Sequence, residues 1–545
     1  MSAPAPFGPA EVERFTRRLR GTFDEVYPAG WSIDWAAIPS PFRWYPDLPR
    51  VSLAPLPYAL GTGGPEEAKA LASGSPTTWI GGYLQACYGL TGVRWHPWGI
   101  AKSSPEEPRA VHRDPHFQLR RPVPSGGVTF PAECYVLTGP SPQLPAGTYH
   151  YDATRHALAA LPGPPVPPPA ALRLVLTTPL WKNYYKYSDF SFRLGALDSG
   201  AVIGQFESVA RRWGWSCRVT FSTDERDVLA HLGLDPTDEA VVAVIDVDPH
   251  QPVPAMPAPV ALSAPTPRPA RWTGAAKRPP RTTGAARMHA ACQERGGRTG
   301  PVHLPPLALP DALTGGAVHP LPAQGTQAVP VAASWARTAL AEQLRPTPLA
   351  GADLARWLDQ ACAPLDSDLP GGGAALDQVR CVLLARNVTG LPAGAHLVDH
   401  ERRSLRTLAD GDFGARVLHS MFGRYMNLAQ APAIVLLVGA ASPHREAGDP
   451  LAYRVQHHVA GLMALRMVSA AAASGATGHP VLGFASGELD EPLGLRDAGW
   501  TALLMVAFGA YRRGLYLESS INPVAARAAG RITQDEASAP LEAIR

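Results

Sequence analysis

The chain states one short pattern twice, and that repetition constrains its fold more than any other feature. LPAGTYHYDATRHAL at 144–158 and LPAGAHLVDHERRSL at 391–405 begin with the same four residues. Asp152 and Asp399, Arg155 and Arg402, Leu158 and Leu405, and Leu161 and Leu408 then match at one offset, 391 − 144 = 247. Pro and Gly set a bend, and each copy follows a short run that predicts a strand, ECYVLTG at 133–139 and RCVLLAR at 380–386. Further on, FRLGALDSGAVIGQFESVARRWGW at 192–215 and YRVQHHVAGLMALRMVSAAAASGA at 453–476 both have helical spacing. Each starts with an aromatic-Arg pair and has a Gly eight residues after the aromatic. Their offset is 453 − 192 = 261, so the second copy carries 14 more residues between the two motifs. Each helix precedes a β-like run, EAVVAVIDVD at 239–248 and WTALLMVAFGA at 500–510. Chance can place Leu-Pro-Ala-Gly twice in a chain with 59 Pro, but it does not readily add four further matches and the same following helix. The chain reads as a tandem repeat of one α+β domain.

A length of 545 residues, with 46% hydrophobic residues and 13 Trp, suffices for two large cores. Charged residues are 17% and the net charge is +3, a globular balance without the basic stripe of a nucleic-acid binder. The six Cys contain no CxxC and no paired spacing, so neither a disulfide framework nor a metal site is expected. The N-terminal stretch lacks the apolar core of a signal peptide, and no 18-residue apolar run occurs. The expectation is a cytoplasmic protein with no membrane contact.

Residues 249–327 break the pattern, with irregular Pro, many Ala and Arg, and few periodic apolar positions. They read as a linker between domains at 1–248 and 328–545. Arg268, Arg271, Lys277, Arg278, Arg281 and Arg287 could touch an acidic partner; a solvated linker is the simpler reading.

Four segments carry a resemblance to a known family. RRPVPSGGVTFPAECYVL at 120–137 is similar to a Pro-Ser-x-Gly segment leading into a strand, and YYKYSDFSFRLGALDSGAVIGQ at 184–205 to a Lys-Tyr motif and its following helix. DWAAIPSPFRWYPDLPRVSL at 34–53 looks like the leader segment of two-domain relatives, and GATGHPVLGF at 475–484 like a loop at a flavin edge. Together they resemble the nitroreductase superfamily, and most of all its peptide dehydrogenase branch, flavoproteins that oxidise thiazolines and oxazolines in azole-containing ribosomal peptides. The resemblance covers most of both halves but not the linker. It implies two tandem nitroreductase-like FMN-binding domains that form, within one chain, the interface such proteins usually form as homodimers. A tandem could still dimerise.

The resemblance also implies what each half must supply. For the FMN phosphate, the second half offers Arg337 near its start and Arg512 and Arg513 after its final strand. The first half ends in AVIDVD, and its counterpart opening has no Arg. For the ring, HPVLGF offers backbone N–H groups at Leu482 and Gly483, whereas the first-half counterpart SCRVTFSTDE retains no glycine. The ring-edge segment is distributed the other way: Pro124, Ser125 and Gly126 in the first half, PGGGA at 370–374 without serine in the second. One complete site results, and one FMN per chain.

Oxidising an azoline to an azole removes a proton and a hydride from neighbouring ring carbons, so a base is required. Lys186 and Tyr187 match the Lys-Tyr motif to which the family assigns that role; Tyr184 and Tyr185 are fallbacks. Arg193 reads as an orienting or carboxylate-binding residue, Asp198 as a surface residue, and His457 and His458 as packing residues. The expected activity is FMN-dependent oxidation of thiazoline or oxazoline rings in a precursor peptide, with a cyclodehydratase as partner. The rivals are a small-molecule FMN oxidoreductase and a flavin-less scaffold protein.

Overall fold

The computed structural model describes residues 4–511 apart from 35–36, 62, 97–115, 256–258, 263–264, 266–278, 322–328, 338–343, 372–375 and 424–425, together with 517–520. Two seven-stranded antiparallel sheets repeat one topology. The first runs Arg50–Ser52, Ala157–Ala160, Gly147–Asp152, Glu133–Thr138, Leu172–Pro179, Glu239–Asp248, Ser216–Thr220. The second runs Val318–Pro320, Ser404–Asp410, Gly394–Asp399, Arg380–Ala385, Ala433–Ala440, Trp500–Gly509, Thr477–Val481 in the same order.

The repeated Leu-Pro-Ala-Gly is the turn that starts the same hairpin in both halves. Thr138 pairs with Gly147 and Ala385 with Gly394, a shift of 247 on each strand. Later elements shift by 261: Ser216 pairs with Asp248, and Thr477 with Gly509. The 14 additional residues therefore lie between the hairpin and the next strand. There the second half carries the helix Gly414–Ser420 and a segment that brings in Phe422.

The two motif helices, Ser191–Arg212 and Leu451–Ala473, cross at the centre of the molecule and are buried along almost all their length. Glycine makes the crossing possible. A Cβ on Gly200 would lie 2.1 Å from the His458 carbonyl oxygen, and one on Gly461 would lie 2.1 Å from that of Leu197. These are the two glycines eight residues after Phe192 and Tyr453, and each packs on the other helix, as a pseudo-two-fold axis requires. Buried ion pairs fasten the halves: Arg466 on the second helix meets Glu207 on the first at 2.8 Å, and Arg454 meets Glu225. His457 and His458 are buried, their Nδ1 atoms 2.8 and 2.7 Å from the carbonyls of Tyr453 and Ala196.

The segment read as a linker is folded in its described parts. Val318–Pro320 is the edge strand of the second sheet, the counterpart of Arg50–Ser52 in the first. The helix Gly284–Glu294 buries Met288, Ala291 and Cys292, and Arg295 at its end forms a buried pair with Asp449 at 2.5 Å. Arg281 and Arg287 pair with Asp235 and Glu11 within the molecule, while Arg268, Arg271, Lys277 and Arg278 lie outside the described residues. Apolar helix faces and a buried charge pair thus hold a segment whose composition resembles that of a free tether. A further, three-stranded sheet joins distant parts of the chain: Leu517–Ser520 pairs with Gly92–His96, which pairs with His116–Arg120. Among the described residues no helix is long and apolar enough to cross a membrane.

Candidate active site

A cavity of about 630 Å³ opens beside the helix crossing, and both halves line it. The first half contributes the turn Pro124–Ser125–Gly126–Gly127–Val128 and one face of its long helix. The second contributes Gly461 and the loop His479–Gly483. Phe23, Tyr27, Phe190 and Phe422 form an aromatic rim, with Phe422 coming from the 14-residue excess of the second half.

The turn is held in a strained backbone. Gly127 has φ 66°, which glycine accepts readily, but Val128 at 61° and Phe130 at 43° are side-chain-bearing residues in the left-handed region. Asp198 secures the turn, its carboxylate accepting from the Ser125 hydroxyl at 2.9 Å and from the Gly126 N–H at 3.0 Å. Ser125 Oγ in turn accepts from the Phe130 N–H at 2.9 Å, and Lys182 Nζ donates to the Phe130 carbonyl at 2.9 Å. The Ser125 hydroxyl thus donates its hydrogen bond to Asp198, while Gly126 and Gly127 beside it line the cavity.

Asp198 corrects the sequence reading: it is buried, not a surface residue. Burial pushes its carboxyl up to about 7, against the downward pull of the Gly126 N–H and the Ser125 hydroxyl. A signal was present in the sequence. Asp198 falls on the stripe of Leu194, Leu197 and Ala201, all lining the cavity, and its counterpart at offset 261 is the apolar Val459.

Lys186 and Tyr187 end the short helix Tyr184–Tyr187, before Ser188, which is also held at positive φ (47°). The Lys186 ammonium lies 5.4 Å from the centre of the Tyr187 ring. Lys186 Nζ and the Tyr187 hydroxyl both come within 2.8 Å of where a Cβ on Gly127 would stand. The motif pair and the Pro-Ser-Gly-Gly turn, 60 residues apart, therefore meet, and a side chain at 127 would displace both polar atoms. Burial raises the phenols of Tyr184 and Tyr185. Arg193, fully buried, donates to the carbonyls of Leu19 and Leu503, each at 2.8 Å, and so orients its helix across both halves.

Another wall of the cavity gathers cations. Arg337 joins Arg94 and Arg120, two residues that sequence reasoning missed because the three-stranded sheet delivers them. Arg120 donates to the Arg337 carbonyl. Arg337 is buried and its Nε has no hydrogen-bond partner. Burial, then the neighbouring Arg120 and Arg94, pull its guanidinium down to about 9. A buried guanidinium among like charges with an orphaned donor fits an anionic group. Arg512 and Arg513, the other expected phosphate ligands, lie outside the described residues.

The loop after Thr477–Val481 brings Leu482 and Gly483 to the same cavity. Their carbonyls accept from the N–H groups of Phe484 and Phe422. At offset 261 the first-half counterparts are Phe221 and Ser222, and there the protein supplies its own anion. Asp368 accepts from the Phe221 N–H at 2.8 Å and from the Ser222 N–H at 2.9 Å. Val219 also bonds the Asp366 carbonyl. The segment around 366–368 thus covers the loop that, in the second half, faces the cavity.

No family model matches the chain. A crystal structure of a protein described as a nitroreductase, from Anabaena variabilis, superimposes with a TM-score of 0.67 at 17% identity, covering 92% of this chain and 99% of that one. The trifolitoxin-processing protein TfxB of Rhizobium leguminosarum bv. trifolii is 28% identical over 151 residues, 24% of this chain, and the match spans only 40% of that protein. The E. coli microcin synthetase McbBCD complex with truncated pro-MccB17 bound overlaps 31% of this chain at 19% identity and a TM-score of 0.23, too little to bear on function. The first of these covers both halves. The chain is a tandem of two nitroreductase-fold domains.

Proposed function

We propose that the chain is an FMN-dependent oxidoreductase that oxidises thiazoline or oxazoline rings in a ribosomally made precursor peptide. The observation that carries the cofactor assignment is Arg337, a buried cation with an unpartnered Nε in a cavity between two nitroreductase-fold domains. Arg337, Arg94 and Arg120 would hold the FMN phosphate, and the N–H groups of Leu482 and Gly483, with Gly126 opposite, would hold the ring. When bound, FMN supplies a two-electron acceptor. Lys186 and Tyr187 would take the proton from the substrate ring, with Tyr187 in the cavity wall and Lys186 beside it. The aromatic rim would exclude water from the reacting carbons. The peptide class is supported by the similarity to a toxin-processing protein, and a cyclodehydratase, which makes azolines, is the partner that this chemistry calls for. The covered loop at Phe221 and Ser222 supports one FMN per chain rather than two.

The test is the visible spectrum of the purified protein with the flavin released and counted. One FMN per chain, followed by loss of two hydrogens from an azoline peptide on incubation, is the expected result. A chain that takes up no flavin from excess FMN would be a scaffold, and one that consumes nicotinamide without peptide would be a small-molecule oxidoreductase.

A further inference from the structure

A second depression of about 1360 Å³ lies outside the cavity. It runs between the N-terminal helix Pro9–Arg18 and the second half, and arginines line it from several elements. Arg14 is on that helix and Arg20 just after it, Arg416 on the helix Gly414–Ser420, and Arg445 on the helix Pro443–Ala447. Among the described residues none of these four is in an ion pair. Two nearby carboxylates are already engaged: Glu13 with Arg17 and His444, and Asp490 with the Thr501 hydroxyl and the Ala502 N–H.

The groove and the cavity share a wall. The Ser486 N–H donates to the Arg20 carbonyl at 3.0 Å, the Ala485 N–H to that of Ser420 at 2.8 Å, and the Phe422 N–H to that of Gly483 at 2.9 Å. Residues 485–486 face the groove, while Gly483 and Phe422 face the cavity. Thr22 lines the groove and the next residue, Phe23, lines the cavity. Phe23 is 46% exposed, with its ring centre 6.0 Å from that of Phe422. A chain lying in the groove would reach the cavity mouth across Phe23.

We propose that this groove binds an acidic stretch of the peptide whose neighbouring residues enter the cavity. The proposal rests on the reading of the substrate as a peptide. The unpaired arginines take its carboxylates. Glu25, Glu488 and Glu491, which also line the groove, are engaged by Thr22, His419 and Arg496, and so do not neutralise the four arginines. The same three carboxylates would repel a continuous run of phosphates, so a peptide fits better than a nucleic acid. The groove sets substrate affinity and the direction of entry, not the chemistry.

The experiment uses the full chain and a rhodamine-labelled alternating Glu-Gly peptide, followed by fluorescence anisotropy, with flavin content measured in the same samples. Wild type binds the probe, and added salt weakens the binding. The exposed triple variant Arg14→Glu, Arg416→Glu, Arg445→Glu weakens it at least about tenfold with flavin per chain unchanged. The corresponding triple Lys variant retains binding, which separates charge from misfolding. Equal binding by wild type and the Glu variant, or equal binding of a Lys-Gly peptide or a single-stranded oligonucleotide, would overturn the proposal. Flavin-loaded protein that ignores the probe overturns the groove alone. Flavin-free protein that binds it upholds the groove and overturns the redox reading.

Discussion

The Asp198 carboxylate accepts the Ser125 hydroxyl proton at 2.9 Å, tying the first long helix to the strained turn at the cavity. Its raised value, about 7 against an ordinary 3.8, gives this contact a pH dependence. The folded protein retains a proton that the unfolded chain has already released. Asp198 therefore carries no penalty below about pH 4 and the whole penalty above about pH 7, with stability falling between them by up to ~1.4 kcal/mol per pH unit. Asp198→Asn removes that dependence. Melting curves of the two proteins from pH 4 to pH 8 should diverge toward the variant, and parallel curves would contradict the assignment.

Gly461→Ala should destabilise the chain by about 1–3 kcal/mol or more, because the new methyl meets the Leu197 carbonyl on the opposing helix. At Gly195, on the same long helix as Leu197, a methyl would stand with nothing within 4 Å. Gly195→Ala should therefore be neutral or stabilising by up to ~1 kcal/mol. Thermal unfolding of the pair separates crowding at the crossing from helix propensity; equal shifts would refute the crossing as its cause.

Arg337→Met should have opposite effects on two properties. Removing a buried cation from beside Arg94 and Arg120 relieves repulsion, so the flavin-stripped protein should melt at a higher temperature. FMN affinity should fall about 10- to 100-fold, the size of one lost charge-assisted bond. Fluorescence titration with FMN gives the second quantity, and an unchanged Kd would remove Arg337 from the phosphate site.

Arg295→Ala should cost about 3–5 kcal/mol, since it leaves the Asp449 carboxylate buried without its partner. Denaturant unfolding measures this. A near-zero cost would restore the view of this segment as a tether.

The repeat was legible because both of its signals are local. The Leu-Pro-Ala-Gly turns fix two hairpins in the same register, and the glycines at 200 and 461 mark the helix crossing. Pro124, Ser125, Gly126, Arg337, Leu482 and Gly483, named from the sequence, all line one cavity. The details that were not legible depend on long-range contacts. Asp198 reads as an exposed acid unless Leu194, Leu197 and Ala201 are recognised as one buried stripe. Arg94 and Arg120 have no local signature, because a strand more than 390 residues away completes their sheet. Arg281, Arg287 and Arg295 look like tether charges until Asp235, Glu11 and Asp449 are seen opposite them.

The strand Leu517–Ser520, paired with Gly92–His96, has a consequence for how the molecule is made. On a ribosome the first half emerges complete while the partner of its arginine-bearing strand is still untranslated. The sheet that carries these arginines is therefore completed late, through a contact of very long sequence separation and so a slow one. Until residues 517–520 arrive, a folding chain would hold Arg94 and Arg120 on an incomplete sheet.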